Sequence, residues 1–272
     1  MTAPGSRVVV SSIAIAEPDR IVVRGADLCG EVIGHQGFVG YFVRLLGIRP
    51  NPALVGLVDA TLVAIAEHGL VPSIQAARMT LSAAPDALQG AVAAGLLGCG
   101  SVVLGASEDA GRFLAEIVAA ADRDGSTVGG EARAAIARLK AERRALPGFG
   151  HPLHRPEDPR ALRLLALACE LGVNGPHMAA LEAVRAAVPE ILGRHLPLNV
   201  SGAIPATLLD AGYPLRALKG IPMIARTASL VAHLLEEQER PIGFALSDAA
   251  VAGFRYDGEL PAREQVAGGR DA

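Results

Sequence analysis

His151, His154, Arg155 and Arg160 fall within one short stretch, LPGFGHPLHRPEDPR, residues 146–160. Imidazoles exchange protons near neutral pH. Guanidinium groups are fixed planar cations that match a carboxylate or a phosphate. Together they describe a place where an anionic substrate is held while a proton moves. Gly148 and Gly150 flank Phe149 and let the backbone come close to a ligand. Pro147, Pro152, Pro156 and Pro159 keep the stretch in turn and extended geometry. It reads as a binding loop between helices.

Elsewhere polar clusters are few. Ala66-Glu67-His68-Gly69 puts an imidazole at the end of a helical pattern, where its charged form complements the helix dipole. Arg226 stands in the apolar run Ile224-Ala225-Arg226-Thr227, and a lone guanidinium there is costly unless an anion pairs with it. His233, seven residues on, shares roughly the same face and reads as a packed core histidine. Asp210 reads as a helix residue facing core or solvent. No third ligand has useful spacing from His151 and His154, so no zinc site is expected. No GxxxxGK[ST] or well-placed GxGxxG points to a nucleotide fold, and no Cys/His or GxSxG arrangement to a hydrolytic nucleophile.

These side chains need a scaffold, and the chain supplies helices. It has 272 residues, 51% hydrophobic but only 3% aromatic, with no Trp. That length allows one large domain or two lobes with ample core. A core of Ala, Leu, Val and Gly suits helix-on-helix packing. A net charge of −3 and the lack of a basic run argue against a nucleic-acid partner. Cys29, Cys99 and Cys169 show no CxxC spacing and are expected to be buried free thiols. The N-terminus shows no leader pattern. Gly, Pro, Asp and His interrupt each apolar run before membrane-spanning length. The expectation is a cytoplasmic protein with no membrane partner.

In chain order, residues 7–15 and 19–23 read as two short strands joined at Glu17-Pro18-Asp19. Residues 27–46 read as an amphipathic helix. Asn51-Pro52 opens the next helix with a cap and a first-turn Pro. Further helices are expected from Pro72, Pro85, Glu108 and Glu131, and after the loop from Pro159 and Pro176. Residues 194–203 read as a short loop, 204–211 and 221–239 as helices, and 267–272 as a frayed end.

GFGH, followed nine residues after its His by the Arg of DPR, resembles the core signature of the citrate synthase family. Ala225-Arg226-Thr227 with Ala232-His233 resembles that family's ARTxGxxAH helix, and the likeness runs from Arg24-Gly25 to Pro241. It implies an all-α, two-lobe citrate synthase-like fold with a short N-terminal β-hairpin, working as a homodimer. The large domain would hold residues 1–108 plus 199–272 and the inserted small domain residues 109–198. The ligand would lie between the lobes, whose closure excludes water. By the same likeness, His151 acts on the oxygen that alternates between ketone and alcohol, and His68 binds the keto acid or its citryl product. Arg160 and Arg226 bind carboxylates. Arg240, in an RP pair, would reach a partner's site; a surface Arg after a helix end fits that position as well. The backbone of Gly148, Phe149 and Gly150, with Arg155, would hold coenzyme A. Gly105 and Ala106, at a helix start, offer N–H groups to a thioester oxygen or phosphate, and a tight packing turn fits them equally.

Two positions depart from the family pattern. Val103, or Leu104 if the gap is placed differently, stands where citrate synthases place the His that stabilises the enol of acetyl-CoA, and Ser201 stands nearest to where an Asp exchanges a proton with the acetyl methyl carbon. A tuned carboxylate is a competent base for a carbon acid; an unactivated hydroxyl is not. Either the reaction differs, or a water or neighbouring group substitutes, or catalysis is lost. The resemblance is to the short citryl-CoA lyase-like branch, whose implied reaction converts citryl-CoA to acetyl-CoA and oxaloacetate. Its substrate is a CoA thioester of a tricarboxylate, with no permanently bound cofactor and no metal. The alternatives are a citrate synthase-type condensation, a lyase for another 3-hydroxyacyl-CoA, and a non-catalytic CoA-thioester-binding paralogue.

Overall fold

The computed structural model describes residues 10–259 and 261. The chain begins with a three-stranded antiparallel sheet, β1 (Ala14–Ala16), β2 (Ile21–Val23) and β3 (Ala26–Asp27), in that order. Ala14 lies opposite Val23 and Val22 opposite Asp27. The expected hairpin is there with a third strand added. Residues 7–9 of its first strand, and the end expected to fray, lie outside the described residues.

The helix expected over 27–46 starts late. Asp27 Oδ1 accepts the Cys29 and Gly30 N–H groups at 2.9 and 2.8 Å, and Leu28–Val32 forms a single π-helical turn. Ile33 is already extended and closes that turn, and Gly34 follows with a φ of 80° that glycine adopts readily. The helix proper, α1, is Phe38–Leu45.

Further helices follow among the described residues. They are α2 (Pro52–Ala66), α3 (Pro72–Ala83), α4 (Leu88–Leu97), the short α5 (Gly100–Leu104), α6 (Ala106–Asp124) and α7 (Val128–Ala141). After the loop come α8 (Pro159–Glu170), α9 (Pro176–Leu192), α10 (Val200–Asp210), α11 (Gly220–Glu239) and α12 (Gly243–Ala252). Side-chain caps set several starts. Asn51 accepts from Leu54 N–H at 2.9 Å and Asp158 from Arg160 N–H at 3.0 Å, each ahead of a first-turn Pro. The start of α9 borrows its cap from another helix. Asp210, at the end of α10, accepts the N–H groups of Gly175, His177 and Met178 at 2.9–3.0 Å. Asp210 is therefore structural.

Helix α10 is the centre of the molecule. Val200 and the run Gly202–Leu208 are buried, and α10 packs against α6, α8 and α9. A helix apolar on all sides is stable only inside a core. Burying Ile204 and Leu208, at 1% and 0% exposure, contributes roughly 1.5–3 kcal/mol each. That burial corrects the expected loop over 194–203: α10 already begins at Val200. Gly202 and Pro205 weaken local helix preference, and packing overrides it. A second apolar cluster joins α3, α4 and α11 through Ile74, Leu81, Ala91, Leu230 and Leu234. The chain beyond Pro241 adds α12, whose first residue Gly243 is buried against α3.

The thiol expectation is corrected in part. Cys99 is buried, but Cys29 in the π-turn and Cys169 on α8 are exposed. No helix among the described residues is long and apolar enough to cross a membrane.

Candidate active site

The loop over 146–158 lies against the first turn of α10 and is stitched to the segment before it. Gly150 N–H donates to Pro197 O at 2.7 Å, and Asn199 N–H to Gly148 O at 3.0 Å. The Asn199 side-chain amide donates to Gly150 O at 2.8 Å, and Phe149 forms a bridge with Leu198. At the far end Asp158 N–H donates to Leu198 O at 3.0 Å. Such pairing fixes a glycine-rich segment that would otherwise be costly to order.

Asp158 is fully buried. Its carboxylate accepts Arg160 Nε at 3.0 Å, Arg160 Nη2 at 2.8 Å and the Val200 N–H at 3.2 Å. Burial alone would raise its pKa, but hydrogen bonds from the Arg160 side chain and backbone and from Val200 hold it below the usual carboxylate range. Arg160 is thereby aimed, with Nη1 still free of the Asp158 pair. Sequence reading took the Arg of DPR and passed over its Asp, which does the aiming.

His151 Nδ1 accepts two backbone N–H groups, from Leu153 at 3.1 Å and His154 at 2.9 Å. A backbone N–H can only donate, so the neutral ring carries its proton on Nε2. Burial, then the neighbouring His154, whose ring centroid is 4.3 Å away, pushes His151 below its ordinary pKa. His151 is a neutral hydrogen-bond donor.

His68 follows the end of α2 with the opposite arrangement. Its Nδ1 lies 3.1 Å from Glu67 O, and a carbonyl can only accept. Burial, with the Arg226 and Arg160 cations, lowers its pKa, while Glu67 works the other way. The Glu67 carboxylate ties this turn to α11. It accepts the Gly69 N–H, the Ser229 hydroxyl at 2.6 Å and His233 Nε2 at 3.1 Å. Burial opposes ionisation of Glu67, but those hydrogen bonds bring its pKa down to about 2. His233, read as a packed core residue, is part of this clamp.

Arg226 projects from α11. It is 6% exposed, and its Nη1 is buried with no hydrogen-bond partner. Burial pushes its pKa below the ordinary value, Arg160 adds to that, and Cys99 and Glu67 oppose it. Arg78, near His68 in sequence, has a different fate. It pairs with Glu237 at 2.6 Å and Glu236 at 2.9 Å and pins α3 to α11.

These side chains meet in one cavity of ≈ 270 Å³. His68, His151, Arg160 and Arg226 line it, and so do both departed positions, Val103 and Ser201. Gly150 and Ala106 complete the join between loop and α6. The cavity also holds Ser107 and Asn199, which sequence reading missed. Ser107 follows the GxxxxGA turn by one residue, and Asn199 precedes Ser201 by two; both signals were within reach. Gly105 N–H is spent on Ser101 O at 2.8 Å, and a Cβ there would lie 2.4 Å from that oxygen. The helix start therefore meets the cavity through Ala106 and Ser107. A neighbouring cleft of ≈ 540 Å³ is lined by Ala106, Arg112, Arg138, Arg144, Pro147 and Gly148. Phe149 packs on the main core. Arg155 is exposed outside both spaces. Arg240 is exposed past the end of α11, bonded to Glu236 at 3.1 Å.

The fold supplies the third ligand that spacing hid. His151, His154 and Asp158 bring ligand atoms within 4.8 Å of one another. The lone pairs are already engaged, however: His151 Nδ1 by two N–H groups, and Asp158 by Arg160 and Val200. A cation taken up there would have to displace the Arg160 guanidinium.

Residues 20–243 match the family description "Citrate synthase, C-terminal domain". The chain belongs to the citrate synthase family. The family likeness extends to a solved citryl-CoA lyase from Hydrogenobacter thermophilus, 30% identical, with a TM-score of 0.84 over 95% of this chain and 98% of that one. Citrate synthase of Haloferax volcanii is 30% identical over 211 residues, 77% of this chain and 53% of its own. A Mycobacterium tuberculosis relative is 31% identical over 82% of this chain and 56% of its own length. The chain thus spans little more than half of the curated citrate synthase relatives it matches. ATP citrate lyase from Methanothrix soehngenii, in complex with citrate and coenzyme A, shares the fold at 21% identity and a TM-score of 0.73.

Proposed function

We propose that this protein cleaves citryl-CoA to acetyl-CoA and oxaloacetate. The observation that carries the reading is Arg226, a buried guanidinium with an unpartnered Nη1, in the same cavity as Arg160, His68 and His151. A buried unpaired cation is costly, and a carboxylate of the substrate removes that cost. Arg160 and Arg226 take substrate carboxylates. His151 Nε2–H donates to the oxygen that becomes the ketone, and its stabilisation of developing negative charge requires no reorientation. The CoA portion lies along the cleft shared by Pro147, Gly148 and Ala106, where Arg112, Arg138 and Arg144 would exchange their partners Glu108, Glu116 and Glu142 for its phosphates, past the carboxylate of Asp109.

Cleavage is the reading we prefer, and the missing imidazole at Val103 and carboxylate at Ser201 bear on it and on condensation alike, because a step and its reverse use the same groups. Likeness in shape to a citryl-CoA lyase, at a TM-score of 0.84 and 30% identity, supports cleavage. We also propose that it works as a homodimer, which would cover Leu97 and Leu235, exposed at 83% and 59% beside the α3–α4–α11 cluster. Equilibrium sedimentation tests that.

Synthetic citryl-CoA is the deciding substrate, with oxaloacetate release followed by coupled reduction and His151→Ala as control. Release that disappears in the variant supports the reading. Binding of the thioester by calorimetry without release would make the protein a CoA-thioester-binding relative, or a lyase for another 3-hydroxyacyl-CoA.

A further inference from the structure

The two cavity histidines hold their protons on opposite nitrogens. His151 Nδ1 receives two backbone N–H groups, so its Nε2 donates. His68 Nδ1 faces Glu67 O, so Nδ1 carries the proton and Nε2 keeps its lone pair. One ring is a donor and the other an acceptor, on the same ≈ 270 Å³ cavity.

We propose that His68 is the proton acceptor of the reaction, in place of the carboxylate that Ser201 has replaced. This rests on the citryl-CoA reading above. Four observations support it. The Glu67 carboxylate bonds Gly69, Ser229 and His233 on either side of the turn, so His68 cannot swing freely. Burial first, then the Arg226 cation and to a lesser degree Arg160, lowers the ring's pKa and favours the neutral form that can accept a proton. A neutral ring with Nδ1 already committed has no proton to offer a substrate carboxylate, so carboxylate binding falls to the arginines. Ser201 and Ser107 are the hydroxyl side chains on the cavity, and among the described residues neither is hydrogen-bonded to an imidazole or a carboxylate.

The step balances. The carbinol hydroxyl of citryl-CoA gives its proton to His68 Nε2 while His151 Nε2–H donates to the same oxygen. The oxygen's electron pair closes the ketone of oxaloacetate. The carbon–carbon bond to the thioester methylene breaks, and its pair enters the thioester enolate. His68 then returns the proton to that carbon, which becomes the methyl of acetyl-CoA. No oxidant, reductant or co-reactant is consumed.

The test combines kinetics with a spectrum. His68→Ala should lower kcat for citryl-CoA by on the order of 10²–10⁴-fold, with KM little changed, and added imidazole should restore part of the rate. A variant that raises KM and leaves kcat intact overturns the assignment, since His68 would then be a ligand for substrate. Nitrogen-15 spectra of the substrate-free wild type read the ring directly, with the His68 signals identified by their loss in the variant. An unprotonated Nε2 on His68 supports the proposal; a protonated one overturns it. If the wild type does not cleave citryl-CoA, the proposed reaction fails separately, and the spectrum decides the donor–acceptor split by itself.

Discussion

Gly148 and Gly202 cross in backbone contact. A Cβ on Gly148 would lie 2.6 Å from the Gly202 Cα, and one on Gly202 would lie 2.7 Å from the Gly148 carbonyl oxygen. Gly148 also takes a φ of +80°, where a side chain adds strain. This crossing lets the loop that carries His151 rest on the first turn of the helix that carries Ser201. Gly202→Ala should therefore cost on the order of 1–3 kcal/mol and slow oxaloacetate release more than stability alone explains. Thermal unfolding and turnover of the purified variant check both.

Arg226 sets binding against stability. Replacing it by Met removes a buried, unpartnered cation of similar length, so the melting temperature should hold or rise. The same change should weaken citrate binding by about 10²-fold, the scale of a lost charge-assisted hydrogen-bond pair. Calorimetry with citrate and a thermal melt on one sample would show the two effects moving in opposite directions.

Asp158→Asn tests the aiming of Arg160. The buried carboxylate satisfies the Arg160 guanidinium and the Val200 N–H at once. Its loss should cost about 3–5 kcal/mol, as for a broken buried pair, with a loss of activity that Asp158→Glu does not rescue. A variant of wild-type stability by urea unfolding would contradict the assignment.

Glu237 makes the acid limb of stability predictable. Burial opposes its ionisation, yet Ser82, Arg78 and the Gly243 and Ile242 N–H groups bring its pKa from 4.5 down to about 2. Because the folded value lies below the unfolded one, its contribution is complete above pH 4.5 and is lost as pH falls towards about 2. The stability gap between wild type and Glu237→Gln should be constant at pH 6 to 7 and shrink below about pH 4. Urea titrations across that range measure it.

Ser201→Asp asks whether the missing carboxylate limits condensation. Ser201 lines the cavity with Arg160 and Arg226, and a carboxylate there would have cations to keep it ionised. Citryl-CoA formation from acetyl-CoA and oxaloacetate should increase by about tenfold or more, at the lower edge of general-base effects. An unchanged rate would count against a simple missing-base account.

The sequence made the site's chemistry legible and left its mechanics hidden. The His151–Arg160 interval, the His68 turn and Arg226 in an apolar helix were each visible, because ligand-facing polar residues stand out from an Ala- and Leu-rich chain. The family likeness then joined them, and the fold class followed from the helical periodicity. The hidden part is long-range. Glu67 meets Ser229, 162 positions away, and Asp210 caps a helix that begins more than thirty residues earlier in the chain. Of the loop expected over 194–203, residues 194–199 are non-helical as expected and 200–203 are helix. Gly202 is a poor helix former, and these residues are helical because the core closes around them.

The stitched loop also decides where this pocket can be recut. Its backbone bonds to Pro197 and Asn199 and its contact with Gly202 leave no slack. Asp158 secures its far end to Val200. The opposite wall, Val103, Ala106 and Ser107, presents side chains that take no part in that stitching. Room for a bulkier ligand is therefore to be sought at the wall bordered by α5 and α6, and not at the loop.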